Sequence, residues 1–319
     1  MPRLSIIDQV PIPAGATARE AFANAIEIAQ LADRLGYARY WLAEHHGMSA
    51  LASVAPEAAI GSVAAATRNI RVGSGAVLLP HYAPLKVAEC FRTLHALHPG
   101  RIDLGIGRAG GRGGAGDFRT RLVELLGFLG RGFPADHPFA RLPVSPAVGG
   151  APDVWLVGTG MSSGALAAEL DLPYAFGHFI EPGWTRAALA GYRTAHSDSP
   201  PPVLAVGVIC TEDETDAYRQ FACIRLLYRQ LGAGLSLPMP TPDEAVAEMG
   251  LAPGPLMPEN GEWPHYIVGN PEQVKARLDE MIRELAVEEL MVASLAPDQA
   301  VRLRTFELLA RMYPTSRPR

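Results

Sequence analysis

Cysteine and lysine are scarce in this chain, and no long apolar run occurs in it. Three cysteines in 319 residues, Cys90, Cys210 and Cys223, are too few and too scattered for a disulfide framework or a zinc site. Each falls in an apolar helix or strand pattern, which points to core packing. Lysine occurs only as Lys86 and Lys275 while arginine is abundant, a pattern of genomic base composition rather than of function. The net charge is −5 and the pI near 6.0, so a broad cationic footprint for nucleic acid is not expected. No segment approaches the ~20 apolar residues of a membrane span, and MPRLSIIDQV lacks the apolar run of a secretion signal. These absences predict a cytoplasmic protein without membrane or nucleic-acid partners. No GxxxxGK[ST] occurs and neither lysine follows a glycine, which excludes a Walker-type ATPase.

Apolar residues make up 48% and charged residues 19%, a globular composition with material for a large core. Short apolar runs alternate with helical patterns. Strands are predicted at 4–8, 40–43, 70–77, 101–106, 154–157, 174–176, 203–210 and 289–293. Helices are predicted at 19–35, closed by Gly36, at 56–66, and at 85–97, stopped by Pro99 and Gly100; others follow at 163–170, 184–196, 214–231 and 299–312. Strict alternation favours a parallel sheet, and eight strand–helix units favour closure into a (β/α)8 TIM barrel. A single barrel domain over 1–319 is expected, with a long loop insertion at 232–264 after helix seven. A second break, GRAGGRGGAGD at 107–117, follows strand four. Both breaks belong on or near the strand C-terminal face, where barrel active sites lie, and the longer one suits a lid.

Three motifs carry possible chemistry. Gly105-Ile-Gly107-Arg-Ala-Gly110 matches GxGxxG, but the Rossmann fingerprint should open a helix at once, and more glycines follow here. An anion cradle of backbone amides with Arg108 fits better. Gly160-Met-Ser-Ser-Gly164 matches GxSxG between a strand and a helix. Ser162 could be the nucleophile of a serine hydrolase, with Asp171 or Asp213 and His178 or His265 completing the order. Equally, Ser162, Ser163 and amides at the helix N-terminus could bind a phosphate, or Ser162 could simply cap the helix. Glu44-His45-His46 ends strand two. Neighbours on a strand point to opposite faces, so the pair is a poor metal site, and no metal is expected. Titratable groups at a barrel strand's C-terminal end instead suit proton transfer. Trp41, Trp155, Phe176 and Met161 read first as barrel packing.

The segments RYWLAEHHGM, IRVGSGAVLLPHYAPLKVAE, FRTLHALHPGRIDLGIGRA, PDVWLVGTG and EELMVASLAPDQAVRLRTFELLA resemble the bacterial-luciferase-like flavin monooxygenases over nearly the whole chain. The resemblance implies a TIM barrel, commonly a homodimer, that takes reduced FMN (FMNH2) from a separate flavin reductase. It implies activation of O2 as a C4a-hydroperoxyflavin and oxygenation of a small-molecule substrate, such as an aldehyde, ketone or polyketide. By position, His45 matches the family's catalytic histidine, flanked by Glu44 and His46. Gly75 and Ala76 match a non-prolyl cis peptide beneath the flavin ring. Arg108 matches a phosphate ligand, Gly160, Met161, Ser162 and Ser163 match the phosphate loop, and His178 falls where relatives carry a histidine pair. The loop after strand four is shorter than in many relatives. Three rivals remain open: an F420-dependent oxidoreductase on the same barrel, a non-catalytic flavin-binding protein, and the serine hydrolase.

Overall fold

The computed structural model describes residues 1–108, 115–195, 200–252, 254 and 261–314. Most of the glycine-rich break at 107–117 and part of that at 232–264 therefore lie outside the described residues, as does residue 196 at the end of the predicted sixth helix.

The chain opens with β1 (Arg3–Asp8) and α1 (Ala18–Leu35). Thr17 and Glu20 form a reciprocal capping box at the start of α1, and Gly36 closes it at φ 81°, a left-handed conformation that favours glycine. The alternation continues with β2 (Arg39–Leu42), α2 (Pro56–Ala66), β3 (Arg71–Leu78), α3 (Pro84–Leu97), β4 (Ile102–Gly107) and α4 (Ala115–Leu126). Next come β5 (Asp153–Gly158), α5 (Met161–Glu169), β6 (Tyr174–Gly177), α6 (Thr185–Ala195) and β7 (Val203–Cys210). After α7 (Glu214–Gly232), α8 (Pro242–Met249), β8 (Tyr266–Gly269) and α9 (Pro271–Leu285), the fold ends with β9 (Glu289–Ala293) and α10 (Gln299–Met312).

Every strand pairing is parallel. The order β6-β5-β4-β3-β2-β1-β9-β7, with β6 also paired to β7, closes a ring of eight strands. The predicted TIM barrel is thus observed. β8 stands outside the ring. Ala205 of β7 accepts from the Phe179 amide and Gly207 donates to the His265 carbonyl, so both residues point their backbone groups to one edge. β8 therefore continues the β7 edge that β6 leaves.

Two features of the insertion differ from the sequence reading. It starts directly after β7 rather than after a seventh barrel helix. The helix predicted at 214–231 is α7, whose apolar face joins Ala50 and Leu51, beyond β2, and Leu295 and Ala296, beyond β9. It covers the strand C-terminal rim. The barrel's seventh helix is α9, which leads straight into β9 and buries Val274, Leu278, Met281 and Leu285 in the main core. The predicted loop also contains α8, opened by a Thr241–Glu244 capping box.

Inside the ring the side chains fall into layers. The floor is charged: Arg39 bonds Asp103 at 2.9 Å and Glu289 at 3.0 Å, and Ser5 donates to Glu289 at 2.6 Å. Trp41 donates to Asp103 at 2.9 Å, and the Arg39 guanidinium lies 4.4 Å from the Trp155 ring centre. Above this floor Trp41 and Trp155 meet edge to face, 5.4 Å apart. Higher still most interior positions are small, namely Ala43, Gly75, Gly105, Gly107, Ala175, Gly177, Ala205 and Ala293, with Val157 level with Ala175 as a larger one. Gly105 is required by contact, because a Cβ there would lie 2.2 Å from the Ser74 carbonyl oxygen.

Candidate active site

The strand C-terminal ends carry the predicted site residues, because each leaves the barrel where a βα loop begins. β2 ends at Leu42, so Glu44, His45 and His46 lie in the following loop and escape strict strand alternation. The His45 amide donates to the Ser53 carbonyl at 2.9 Å, which holds the loop against the barrel.

Glu44 is buried and fully used. Its carboxylate accepts from His46 Nε2–H at 2.7 Å, from the Tyr82 hydroxyl at 2.8 Å, and from the Leu78 amide at 3.1 Å. Partial burial, then the hydrogen bond to that carboxylate, hold the half-buried Tyr82 phenol well above its ordinary range. His46 remains exposed and meets His81 edge to face, with ring centres 5.5 Å apart. Glu44 and His46 thus form one unit with Tyr82.

His45 faces elsewhere. Its Nε2 lies 3.2 Å from the side-chain nitrogen of Gln9, just beyond β1. Burial, then the neighbouring His46, push its pKa down to about 4, so the ring is neutral at pH 7. Its Nδ1 is buried and, among the described residues, has no hydrogen-bond partner. Gln9, His81 and Tyr82 were not singled out from sequence. A polar Gln9 closing the apolar run of β1 was the one signal available.

The Gly75–Ala76 peptide is cis, as the resemblance implied. Both residues lie on the interior wall: a Cβ on Gly75 would sit 3.0 Å from Ile7 and Trp41, and one on Gly107 would sit 3.0 Å from the Ala76 methyl. Arg108 is exposed immediately beyond β4. Beyond β5, Gly160 caps α5 without a side chain, so Ser162 lies inside the helix; the reading of Ser162 as its N-cap is corrected. Met161 is 55% exposed and packs in no barrel layer, against its reading as packing. Ser163 Oγ lies 2.5 Å from the Gly160 carbonyl and 2.6 Å from the Tyr174 hydroxyl. Since a carbonyl only accepts, Ser163 donates to Gly160 and accepts from Tyr174.

His178 is not brought to an open position. It is 1% exposed, with Nε2–H donated to the Pro264 carbonyl at 3.0 Å and Nδ1 accepting from the Thr185 hydroxyl at 2.7 Å. Nε2 ties the end of β6 to the insertion, and Nδ1 ties it to the start of α6. No hydrogen bond joins Ser162 to a histidine among the described residues, so the nucleophile–base contact of a hydrolase is not formed there. Nor do those residues contain a group of three His, Cys, Asp or Glu side chains that could hold a metal ion. Among them no helix is long and apolar enough to cross a membrane.

Burial pushes the His178 pKa from 6.5 down to about 4. Between these values the unfolded chain binds a proton that the folded chain refuses. The contribution to stability is complete above pH 6.5 and is lost as pH falls towards 4, by about 3 kcal/mol. His178→Gln keeps one donor and one acceptor without the titration. Urea melts of this variant should show a shallower loss of stability over that window, and equal slopes would remove His178 as a cause.

Against this geometry, the profile of the family described as luciferase-like monooxygenase matches residues 3–289. The chain belongs to the luciferase-like monooxygenase family. It is 34% identical to a luciferase-like monooxygenase of Escherichia coli strain K12, over 95% of each chain. The solved structure of apo-MsnO8 superposes with a TM-score of 0.89 at 44% identity, covering 99% of both chains. At 19% identity, the oxygenating constituent of 3,6-diketocamphane monooxygenase from Pseudomonas putida, solved in complex with FMN, shares the fold with a TM-score of 0.72 over 98% of each chain. Membership of this family accounts for the barrel.

Proposed function

We propose that the chain is a two-component monooxygenase: it binds reduced FMN supplied by a separate reductase and inserts one atom of O2 into a small organic substrate. The observation that carries this reading is the pairing of a cradle with an orphan. Alanine and glycine line much of the upper barrel and keep it free of bulky side chains, as a flat ring system would require. At its rim His45 holds a buried Nδ1 with no partner among the described residues. Buried polar atoms are nearly always satisfied, so a ligand is the natural partner. The residues present therefore fit a flavin.

Arg108 and the α5 N-terminus with Ser162 would hold the phosphate, through charge and backbone amides, while Ser163, whose amide and hydroxyl both donate to the Gly160 carbonyl, would fix the loop that presents them. Gly160 leaves the approach to those amides open, since a Cβ there would meet nothing within 4 Å. Bound reduced flavin would supply the two electrons that activate O2. The apolar wall and α7 would exclude water from the reacting atoms. His45 would hydrogen-bond at the reacting edge, while Glu44 orients His46 Nε2–H and leaves His46 Nδ1 able to take a proton. Two copies pairing as a homodimer in the cytoplasm, and single-barrel organisation over 1–319, complete the reading.

Arg108→Ala should weaken reduced-FMN binding by about 10- to 100-fold, the loss of a charged hydrogen bond, and affect riboflavin little. Equal losses for both ligands would remove Arg108 from the phosphate site. The function is tested by supplying FMN, a flavin reductase and labelled O2 with candidate substrates. One labelled oxygen in the product is the expected result. Tight binding of reduced F420 in place of reduced FMN would favour hydride transfer, and flavin retention without oxygenated product would leave a binding protein.

A further inference from the structure

We infer that Gln9 is a positioning residue that fixes the tautomer of His45, so that the imidazole presents its Nδ1 proton as a hydrogen-bond donor to the ligand in the barrel mouth. The role towards a ligand rests on the reading of that mouth as the flavin and substrate site; the tautomer does not.

Adjacent strands β1 and β2 bring the two side chains together, with the Gln9 amide nitrogen 3.2 Å from His45 Nε2. An amide nitrogen has hydrogens to give and no lone pair to offer. His45 Nε2 is therefore the acceptor, and the single proton of the neutral ring must reside on Nδ1. The ring is neutral because burial, with His46 alongside, opposes its charging. Nδ1 and Gln9 Oε1 are both buried and both without partners among the described residues. The pair thus offers a ligand one donor, His45 Nδ1–H, and one acceptor, Gln9 Oε1.

The consequence is a division of labour between neighbouring histidines. Nδ1 of His45 already carries its proton and cannot take one, so His45 acts on the ligand as a neutral donor. His46 has the opposite tautomer, because its Nε2–H is given to the Glu44 carboxylate at 2.7 Å. Its Nδ1 lone pair makes it the proton acceptor of the rim. Carboxylate and carboxamide partners thereby set two adjacent imidazoles to opposite polarity.

The test is nitrogen NMR of the cofactor-free, full-length protein labelled with 15N-histidine at pH 7, with His45 signals assigned by their loss in His45→Ala. Two-bond ring couplings identify the protonated nitrogen. In the wild type His45 should be protonated at Nδ1. In Gln9→Glu the carboxylate can only accept, so the proton should move to Nε2. A wild-type His45 protonated at Nε2 would overturn the assignment, and this spectrum needs no variant at position 9. An unchanged tautomer in a folded Gln9→Glu protein would overturn it equally. A wild-type Nδ1 proton that moves in Gln9→Glu, in a protein that binds no reduced flavin, would uphold the tautomer control and defeat only the functional reading.

Discussion

Arg39→Leu should destabilise the protein by about 3–5 kcal/mol, the cost of breaking a buried ion pair by removing one partner. The guanidinium bonds Asp103 at 2.9 Å and Glu289 at 3.0 Å, on opposite walls of the barrel floor. Both carboxylates are almost wholly buried, at 0% and 1% exposed. Asp103 keeps Arg71 and Trp41, and Glu289 keeps Ser5 and the half-exposed Arg3 at 3.0 Å, but neither set spans the interior as Arg39 does. Domains are stable by only ~5–15 kcal/mol, so the loss is a large share of the total. Urea denaturation measures it. A decrease below about 1 kcal/mol would mean that water or relaxation already compensates these carboxylates.

His45→Ala should slow productive turnover by about 100-fold while changing reduced-flavin affinity by only a few-fold. A preorganised hydrogen-bond donor aimed at charge that develops in the transition state contributes about this factor, and a neutral imidazole adds little to ground-state binding. Stopped-flow mixing of the reduced-flavin complex with O2 would check it: the variant should release H2O2 and oxidised flavin faster than the wild type. Equal time courses and equal turnover would remove His45 from the chemistry. Gln9→Leu should give an intermediate defect, because the ring remains but its tautomer is no longer set.

The barrel was legible because its strands are short apolar runs bounded by glycine and proline, each but the fourth followed by a helical period; α4 was hidden by the glycine-rich break before it. Those signals arise from burial on both faces of a parallel sheet. The insertion was misplaced for an equally physical reason. α7 has a strong apolar face and reads as a barrel helix, but that face covers the rim. The true seventh helix was announced by Asn270-Pro-Glu-Gln273, a capping box with proline in the first turn, and by apolar residues at 274, 278, 281 and 285. The four-residue strand β8 before it is too short to show alternation.

At the site, sequence named Glu44, His45 and His46 together, but it could not show that they split into two units. That depends on Gln9 and Tyr82, which approach from the segments beyond β1 and β3. His178 looked equally eligible by position. Its bonds to Pro264 and Thr185, residues 86 and seven positions away in sequence, turn it into a structural tie.

An anaerobic titration with reduced FMN, followed by tryptophan fluorescence, tests the central claim most directly. Trp41 and Trp155 lie beneath the proposed cradle and should report its filling. Wild type should show saturable quenching with one flavin per chain. Gly107→Val should abolish it while remaining folded, because a branched side chain would grow from a position already 3.0 Å from the Ala76 methyl. Undiminished flavin binding in folded Gly107→Val, or no saturable quenching in the wild type, would contradict the account.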